Sequence, residues 1–194
     1  CGEHDWVPLF HQPYWWDCVT EHWEVQKLES DNTIAYLPYT SEKKMGFTFS
    51  RNPFITPYSG LIFSSLDYTI EQKKALYDIG EAFLSQFALS EYDCNPSFFS
   101  NSEKLSIKRK STFLLDLNRT EEEIYANFKS SLRRQLKKAE KQLTISEAKD
   151  TETFYAIYRD SLDKQKGASI IPKEVVDQTW QLCQDNSLGT IYLA

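Results

Sequence analysis

The residues best placed to bind an anion lie in one basic segment, residues 129–141, which has the pattern of a helix. Besides Lys129 at its start, it carries five cations: Arg133, Arg134, Lys137, Lys138 and Lys141. On a helix, like charges four residues apart repel each other by about 0.2–0.5 kcal/mol per pair. The lysines near the end of the helix offset its dipole, but Arg133 and Arg134 come earlier. Two interpretations remain open: a helix face in water, or a surface for an anionic ligand such as a phosphate.

Other chemical motifs are missing from the sequence. There is no GxSxG, Walker, GxGxxG or HExxH pattern, and no catalytic residue is assigned. The four cysteines are widely spaced and form no CxxC pair, which predicts reduced thiols in a cytoplasmic protein. The three histidines lie among the first 22 residues without the spacing of a zinc site, so no metal is predicted.

The composition is that of a globular protein with a local excess of positive charge. The chain has 194 residues, of which 41% are hydrophobic and 14% aromatic, and a net charge of −6. A dedicated nucleic-acid binder is usually basic overall, so no DNA partner is expected. Residues 104–141 nevertheless contain eleven Lys and Arg against five Asp and Glu. No apolar run reaches the length of a transmembrane segment.

The elements that must position these residues alternate between strands and helices. Three strands in an antiparallel meander are predicted at 23–28, 33–39 and 46–50. Further strands are predicted at 92–99, 112–117, 143–147 and 189–194. Helices are predicted at 69–89, 120–142, 150–167 and 172–186, after a short helix that begins at Pro13. The helix at 69–89 is capped by Thr69, and that at 120–142 begins with a Thr120-to-Glu123 capping box. This order predicts a mixed α/β (α+β) protein with an antiparallel-rich sheet.

Two further features concern packing and a cleft. The apolar residues on one face of the helix at 120–142 are predicted to form core; they are Ile124, Tyr125, Phe128, Leu132, Leu136 and Ala139. The segment 51–60 contains Pro53, Pro57 and Gly60, which predict an irregular loop. Such an aromatic-rich loop, with Tyr58 in it, is predicted to line a cleft, although an Ω-loop with a purely structural role is the alternative.

Several of these segments, in this order, resemble the FemAB-type peptidyltransferase family of the GNAT (acyl-CoA N-acyltransferase) superfamily. The similar segments include FHQPYWWD at 10–17, NPFITPYSG at 52–60, TFLLDL at 112–117 and LRRQLKKAEK at 132–141. The LTISE strand at 143–147 and the helix DTETFYAIY at 150–158 also fit.

The resemblance implies a bacterial acyl or aminoacyl transferase with two GNAT-like domains. A first domain would span 1–142, including the basic helix as a linker, and a second would begin at 143 and be truncated at 194. The implied reaction moves an acyl or aminoacyl group onto an amine acceptor, with a peptidoglycan precursor as the expected acceptor. The donor would be acyl-CoA or aminoacyl-tRNA, so tRNA is an implied partner as donor carrier.

The resemblance also suggests substrate-binding residues. The family often has an arginine that faces a substrate phosphate after the helix at 150–158, and Lys164 stands at that position. Lysine holds a phosphate as a point charge, without the two-pronged bond of arginine. The full predicted set is Lys164, Lys166, Arg133, Arg134, Tyr58 and Trp180. Packing within its own helix is the alternative role for Trp180.

Two alternatives to a transferase are kept open. The segment R/Q-x-x-G-x-G/A, which binds the pyrophosphate of acyl-CoA in GNAT enzymes, is missing from these residues. The first alternative is therefore a non-catalytic substrate-binding module of the same fold. The second is an RNA-contacting protein that uses the basic helix. The chain is expected to continue past Ala194, and Cys1 is expected to be a trimmed start rather than the lipid-bearing cysteine of a lipoprotein.

Overall fold

The computed structural model describes residues 7–95, 100, 105–108, 110–111, 115–163 and 170–194. Within them the fold is mixed α+β with mostly antiparallel pairing, which confirms the predicted class. The helices are α1 (Pro13–Val19), α2 (Ile70–Leu84), α3 (Glu121–Ala126), α4 (Ser130–Ala139), α5 (Glu152–Asp163) and α6 (Lys173–Asp185). The strands are β1 (Trp23–Ser30), β2 (Thr33–Thr40), β3 (Glu42–Lys44), β4 (Phe47–Arg51), β5 (Ile62–Phe63), β6 (Leu89–Glu91), β7 (Ser146–Glu147) and β8 (Tyr192–Leu193).

The first sheet has the order β1-β2-β5 and is antiparallel throughout. Asp31 and Asn32 join β1 to β2 with φ values of 42° and 65°. Asp and Asn tolerate this left-handed conformation, which matches the twist of a tight hairpin. Helix α2 packs against this sheet, and its capping box pairs Thr69 with Gln72. The main core cluster lies between them and consists of Leu28, Ala35, Leu37, Leu61, Leu76 and Tyr77.

Gly80 lies where α2 approaches the sheet most closely. A Cβ atom at this position would be 3.2 Å from Leu28 Cδ1 and 3.4 Å from Leu61 Cδ2. We therefore expect Gly80→Val to lower the free energy of unfolding by about 1–3 kcal/mol, because a branched side chain overpacks this contact. Urea denaturation measures the loss, and Lys74→Val on the exposed face of the same helix is the control. An equal loss in both variants would contradict crowding as the cause.

The second sheet has the order β3-β4-β6, and β4 is parallel to β6. The prediction that the third strand continues the meander beside β2 is therefore wrong. Side chains link β4 to β2 instead: Ser50 Oγ donates to the Thr40 carbonyl at 2.7 Å, and Thr40 Oγ1 donates to the Arg51 carbonyl at 2.8 Å. These bonds link only the ends of β2 and β4 and do not form a backbone ladder between them. Both edges of β4 therefore remain available for pairing with β3 and β6.

Two predicted boundaries move in this part of the chain. Helix α2 ends at Leu84 instead of residue 89, and the strand predicted at 92–99 is found earlier, as β6. Residues 89–91 pair in parallel with β4. This tertiary contact, rather than the local sequence pattern, sets the position of β6. Of the predicted strand, only Cys94 forms a bridge, with Ser59, and residues 96–99 lie outside the described residues.

The helix predicted at 120–142 is two helices. The capping box that joins Thr120 to Glu123 is present and confirms the predicted start of α3. Helix α3 ends at Ala126 and is capped by Asn127, whose side-chain amide donates to the Glu123 carbonyl at 2.8 Å. Helix α4 begins after Lys129, which has an extended backbone. Of the strand predicted at 112–117, residues 112–114 lie outside the described residues and 115–117 are not in a strand.

The apolar face of this region is not core, which corrects another prediction. None of its six residues is buried: Leu132 is 40% exposed and the others are half-buried. Periodicity predicts which residues share a face, but burial requires a neighbouring element to cover that face.

The last part of the described chain contains α5, α6 and the antiparallel pair β7 and β8, near the predicted positions. Lys173 Nζ lies 2.8 Å from Glu152 Oε1 and 2.8 Å from Asp177 Oδ2, so it ties the start of α6 to α5. Helix α6 also packs on α1, where Cys18 Sγ contacts Thr179 Oγ1 at 3.8 Å. The division at residue 142 stays a prediction. None of the described helices is both long and apolar enough to cross a membrane.

Candidate functional site

The loop formed by residues 52–60, here called the 52–60 loop, is an ordered segment held by its own polar side chains. Asn52 Nδ2 donates to the Thr56 carbonyl at 3.2 Å, and Ser59 Oγ donates to Asn52 Oδ1 at 2.6 Å. The Ser59 amide donates to the Asp93 carbonyl at 2.8 Å. The two side-chain bonds hold the loop in its own conformation, and the Ser59 amide bond fixes its base to the chain that follows β6.

The other side of the 52–60 loop contacts the N-terminal segment, residues 9–19. Trp15 Nε1 donates to Thr56 Oγ1 at 3.2 Å, and both residues are buried. The half-buried Tyr58 ring meets the Phe10 ring edge-on at 5.4 Å and lies 6.0 Å from the His11 ring. The predicted cleft residue Tyr58 is thus packed against aromatic neighbours.

His11 is an unusual residue in this contact. It is only 5% exposed, and within the described residues neither Nδ1 nor Nε2 has a hydrogen-bond partner. Buried polar groups nearly always have a partner, so such a group calls for an explanation. Burial disfavours the charged imidazolium and lowers the pKa of His11 to about 4, so the ring is neutral at pH 7. No sequence motif points to His11, and the aromatic residues that flank it in the sequence are the one local signal for its burial.

Ile55 gives the 52–60 loop a second unusual feature. Its φ angle is +55°, a left-handed conformation that is disfavoured for a β-branched residue. Pro53 and Pro57 lie on either side of it and restrict the backbone further. Strain of this kind persists only where surrounding contacts impose it, and it is concentrated at functional sites.

Helix α4 presents a cationic surface. Four of the five predicted cations, Arg133, Arg134, Lys137 and Lys138, lie on α4, and Lys141 follows just beyond its end; all five are exposed. In the part of the chain that the structure describes, no acidic side chain forms an ion pair with any of them. Lys137 and Lys138 lie in the last turn, where they offset the helix dipole, whereas the two arginines lie a turn earlier. The surface can therefore accept an external anion without breaking an internal ion pair.

The remaining predicted site residues are dispersed. Trp180 is half-buried on α6, next to the buried Thr179 that contacts α1. Lys164 and Lys166 lie outside the described residues. The described contacts bring Tyr58 together with His11, and not with Trp180 or the α4 arginines.

Two open grooves lie elsewhere on the described surface. One of about 380 Å³ lies between α1 and α6 and is lined by Tyr14, Asp17, Cys18, Gln178, Gln181 and Leu182. Another of about 390 Å³ lies near β8 and is lined by Glu147, Cys183, Gln184, Ser187, Gly189, Thr190 and Tyr192. Neither includes a predicted substrate residue. Among the described residues, no group of three or more His, Cys, Asp or Glu side chains is arranged to hold a metal ion.

Comparisons with protein-family models, with curated proteins and with solved structures find no match to this chain.

Proposed function

We propose that the protein is a cytoplasmic acyl or aminoacyl transferase of the FemAB and GNAT type. It moves an acyl or aminoacyl group from a polyanionic carrier, acyl-CoA or aminoacyl-tRNA, onto an amine acceptor. The acceptor class is a nucleotide-linked cell-wall precursor. The segments that resemble the FemAB family support this proposal through their order along the chain.

The observation that carries the proposal is the cationic surface of α4, which forms no ion pair with any acidic residue that the structure describes. Each carrier named above, and the nucleotide-linked acceptor, presents several phosphate charges. Like-charge pairs such as Arg133 and Lys137 cost stability on an isolated helix, and a bound polyanion reverses that cost. Arg133 and Arg134 are suited to this role because guanidinium groups bind phosphate oxygens through two parallel bonds.

The chemistry of transfer needs an amine nucleophile, a route for its proton and stabilisation of a tetrahedral oxyanion. In this proposal α4 contributes positioning: it fixes the charged carrier so that the reactive acyl carbon faces the amine. No described residue is assigned as the base.

The second candidate is a substrate-binding module of the same fold without catalysis. One observation favours it: His11, the imidazole beside the predicted cleft loop, is only 5% exposed and lies next to Tyr58, so in this conformation it does not reach a substrate as a base. Binding would need only the α4 surface, which is exposed as it stands.

A transfer assay tests the proposal. The full-length protein is incubated with aminoacyl-tRNA or acyl-CoA and a UDP-linked muropeptide, and mass spectrometry detects the N-acylated acceptor, while calorimetry measures binding. We expect both binding and product. Binding without product would reject the transferase and support the substrate-binding module. Absence of binding to every donor and acceptor would reject both functions.

A further inference from the structure

The contact between the 52–60 loop and the N-terminal segment contains a buried, titratable group that the proposed function does not use. We propose that acidification releases the 52–60 loop from the N-terminal segment, with protonation of His11 as the trigger. This inference does not depend on the transferase proposal, because it concerns the loop contact alone.

The position of His11 makes its protonation incompatible with the packed contact. The ring is 95% shielded from solvent and lies 6.0 Å from the Tyr58 ring. Protonation would place a full charge there and would make both nitrogens donors, although neither has an acceptor among the described residues. Moving the ring into water satisfies both donors, and because the Tyr58 ring lies beside it, the 52–60 loop is the contact that we expect to separate.

The groups that face His11 do not offset this cost. The 52–60 loop contributes Tyr58, an uncharged phenol. On the His11 side, Phe10 packs on Tyr58, and Gln12 uses its side-chain amide to bind the Val7 carbonyl at 2.8 Å. Burial is the cause of the lowered pKa of His11, and among the described residues no neighbouring charge contributes to it.

The direction of the pH dependence follows from this shift. The imidazole has a pKa of about 4 in the packed contact and an ordinary value of 6.5 when exposed. The released form therefore binds a proton more readily, and acid favours release. The contact keeps its full stability above pH 6.5 and loses it progressively as the pH falls towards 4.

Release is expected to be local because the two sides of the 52–60 loop are held differently. Backbone bonds from Asn52 to Glu91 and from Ser59 to Asp93 hold its base to the end of β6 and the chain just after it. The N-terminal side relies on the Trp15-to-Thr56 bond and on ring contacts. Ile55 also has a disfavoured left-handed backbone that loop release can relax. The contact with the N-terminal segment is therefore expected to open before the bonds at the base of the 52–60 loop.

Hydrogen exchange measured by mass spectrometry at pH 7.5 and 4.5, corrected for intrinsic rates, tests the proposal. We expect the population with an open 52–60 loop to rise roughly 50- to 100-fold, as two pKa values of 6.5 and about 4 imply. Strands β1 and β2 should keep their protection. His11→Phe should abolish the change, while His22→Phe, at an exposed histidine, should retain it.

Three results would overturn the proposal: unchanged loop exchange in the natural protein, equal loss of protection in β1 and β2, or the same pH response in His11→Phe. Because His11→Phe could fold poorly, NMR titration of the natural protein gives a second measurement. The His11 ring should titrate together with resonances of the 52–60 loop. If His11 titrated near pH 6.5 while the resonances of the 52–60 loop stayed unchanged, the proposed release of the loop would also be rejected.

Discussion

Replacement of both Arg133 and Arg134 by glutamate is expected to weaken binding of a polyanionic carrier by at least about 100-fold at low salt. Both arginines are exposed on α4 and have no intramolecular acidic partner in the described chain, so the loss comes from contacts with the ligand. Fluorescence anisotropy with labelled aminoacyl-tRNA over a series of salt concentrations measures it. The dependence of affinity on salt should also become shallower, because fewer counterions are released.

The matched control is Lys43→Glu with Lys44→Glu. These two cations are exposed on β3, in the second sheet, and the double change alters the net charge by the same amount. We expect the control to keep nearly all of the affinity. Equal effects in the two double variants would mean that only overall charge matters. Unchanged affinity and salt dependence in the α4 variant, with unchanged folding, would identify α4 as a solvated face.

Replacement of Trp16 by alanine is expected to lower the free energy of unfolding by about 3–5 kcal/mol. The Trp16 side chain is 0% exposed, contacts the Trp23 ring at 5.6 Å and donates from Nε1 to the Phe10 carbonyl at 2.9 Å. Alanine leaves a large cavity and an unpaired carbonyl in the segment that carries His11. Urea denaturation followed by circular dichroism gives the change.

Two comparison variants separate the causes of this loss. Trp16→Phe retains a ring but removes the indole donor, so we expect a smaller loss. Trp180→Ala removes an indole that is only half-buried on α6, and its loss should also be smaller. If Trp16→Ala destabilised the protein no more than Trp180→Ala, the packing of α1 would not be the main source of stability in this region.

Features that depend on a few neighbouring residues were determined by the sequence alone. The start of α2 follows from the capping box of Thr69 with Gln72, and the start of α3 from that of Thr120 with Glu123. The tight turn between β1 and β2 follows from Asp31 and Asn32, which accept positive φ angles. These side chains bond or adopt their conformation within four residues, so distant contacts are not needed.

Only the tertiary structure decided where paired and buried groups lie. Strand β4 joined a second sheet because residues 89–91, far along the chain, lie beside it. The cations of α4 were evident from the sequence, but their lack of internal acidic partners in the described chain was not. The burial of His11 and its contact with Tyr58 were equally hidden, because that contact joins residues 47 positions apart. Local patterns fix the conformation of a segment, whereas burial and pairing depend on which distant segments come to cover it.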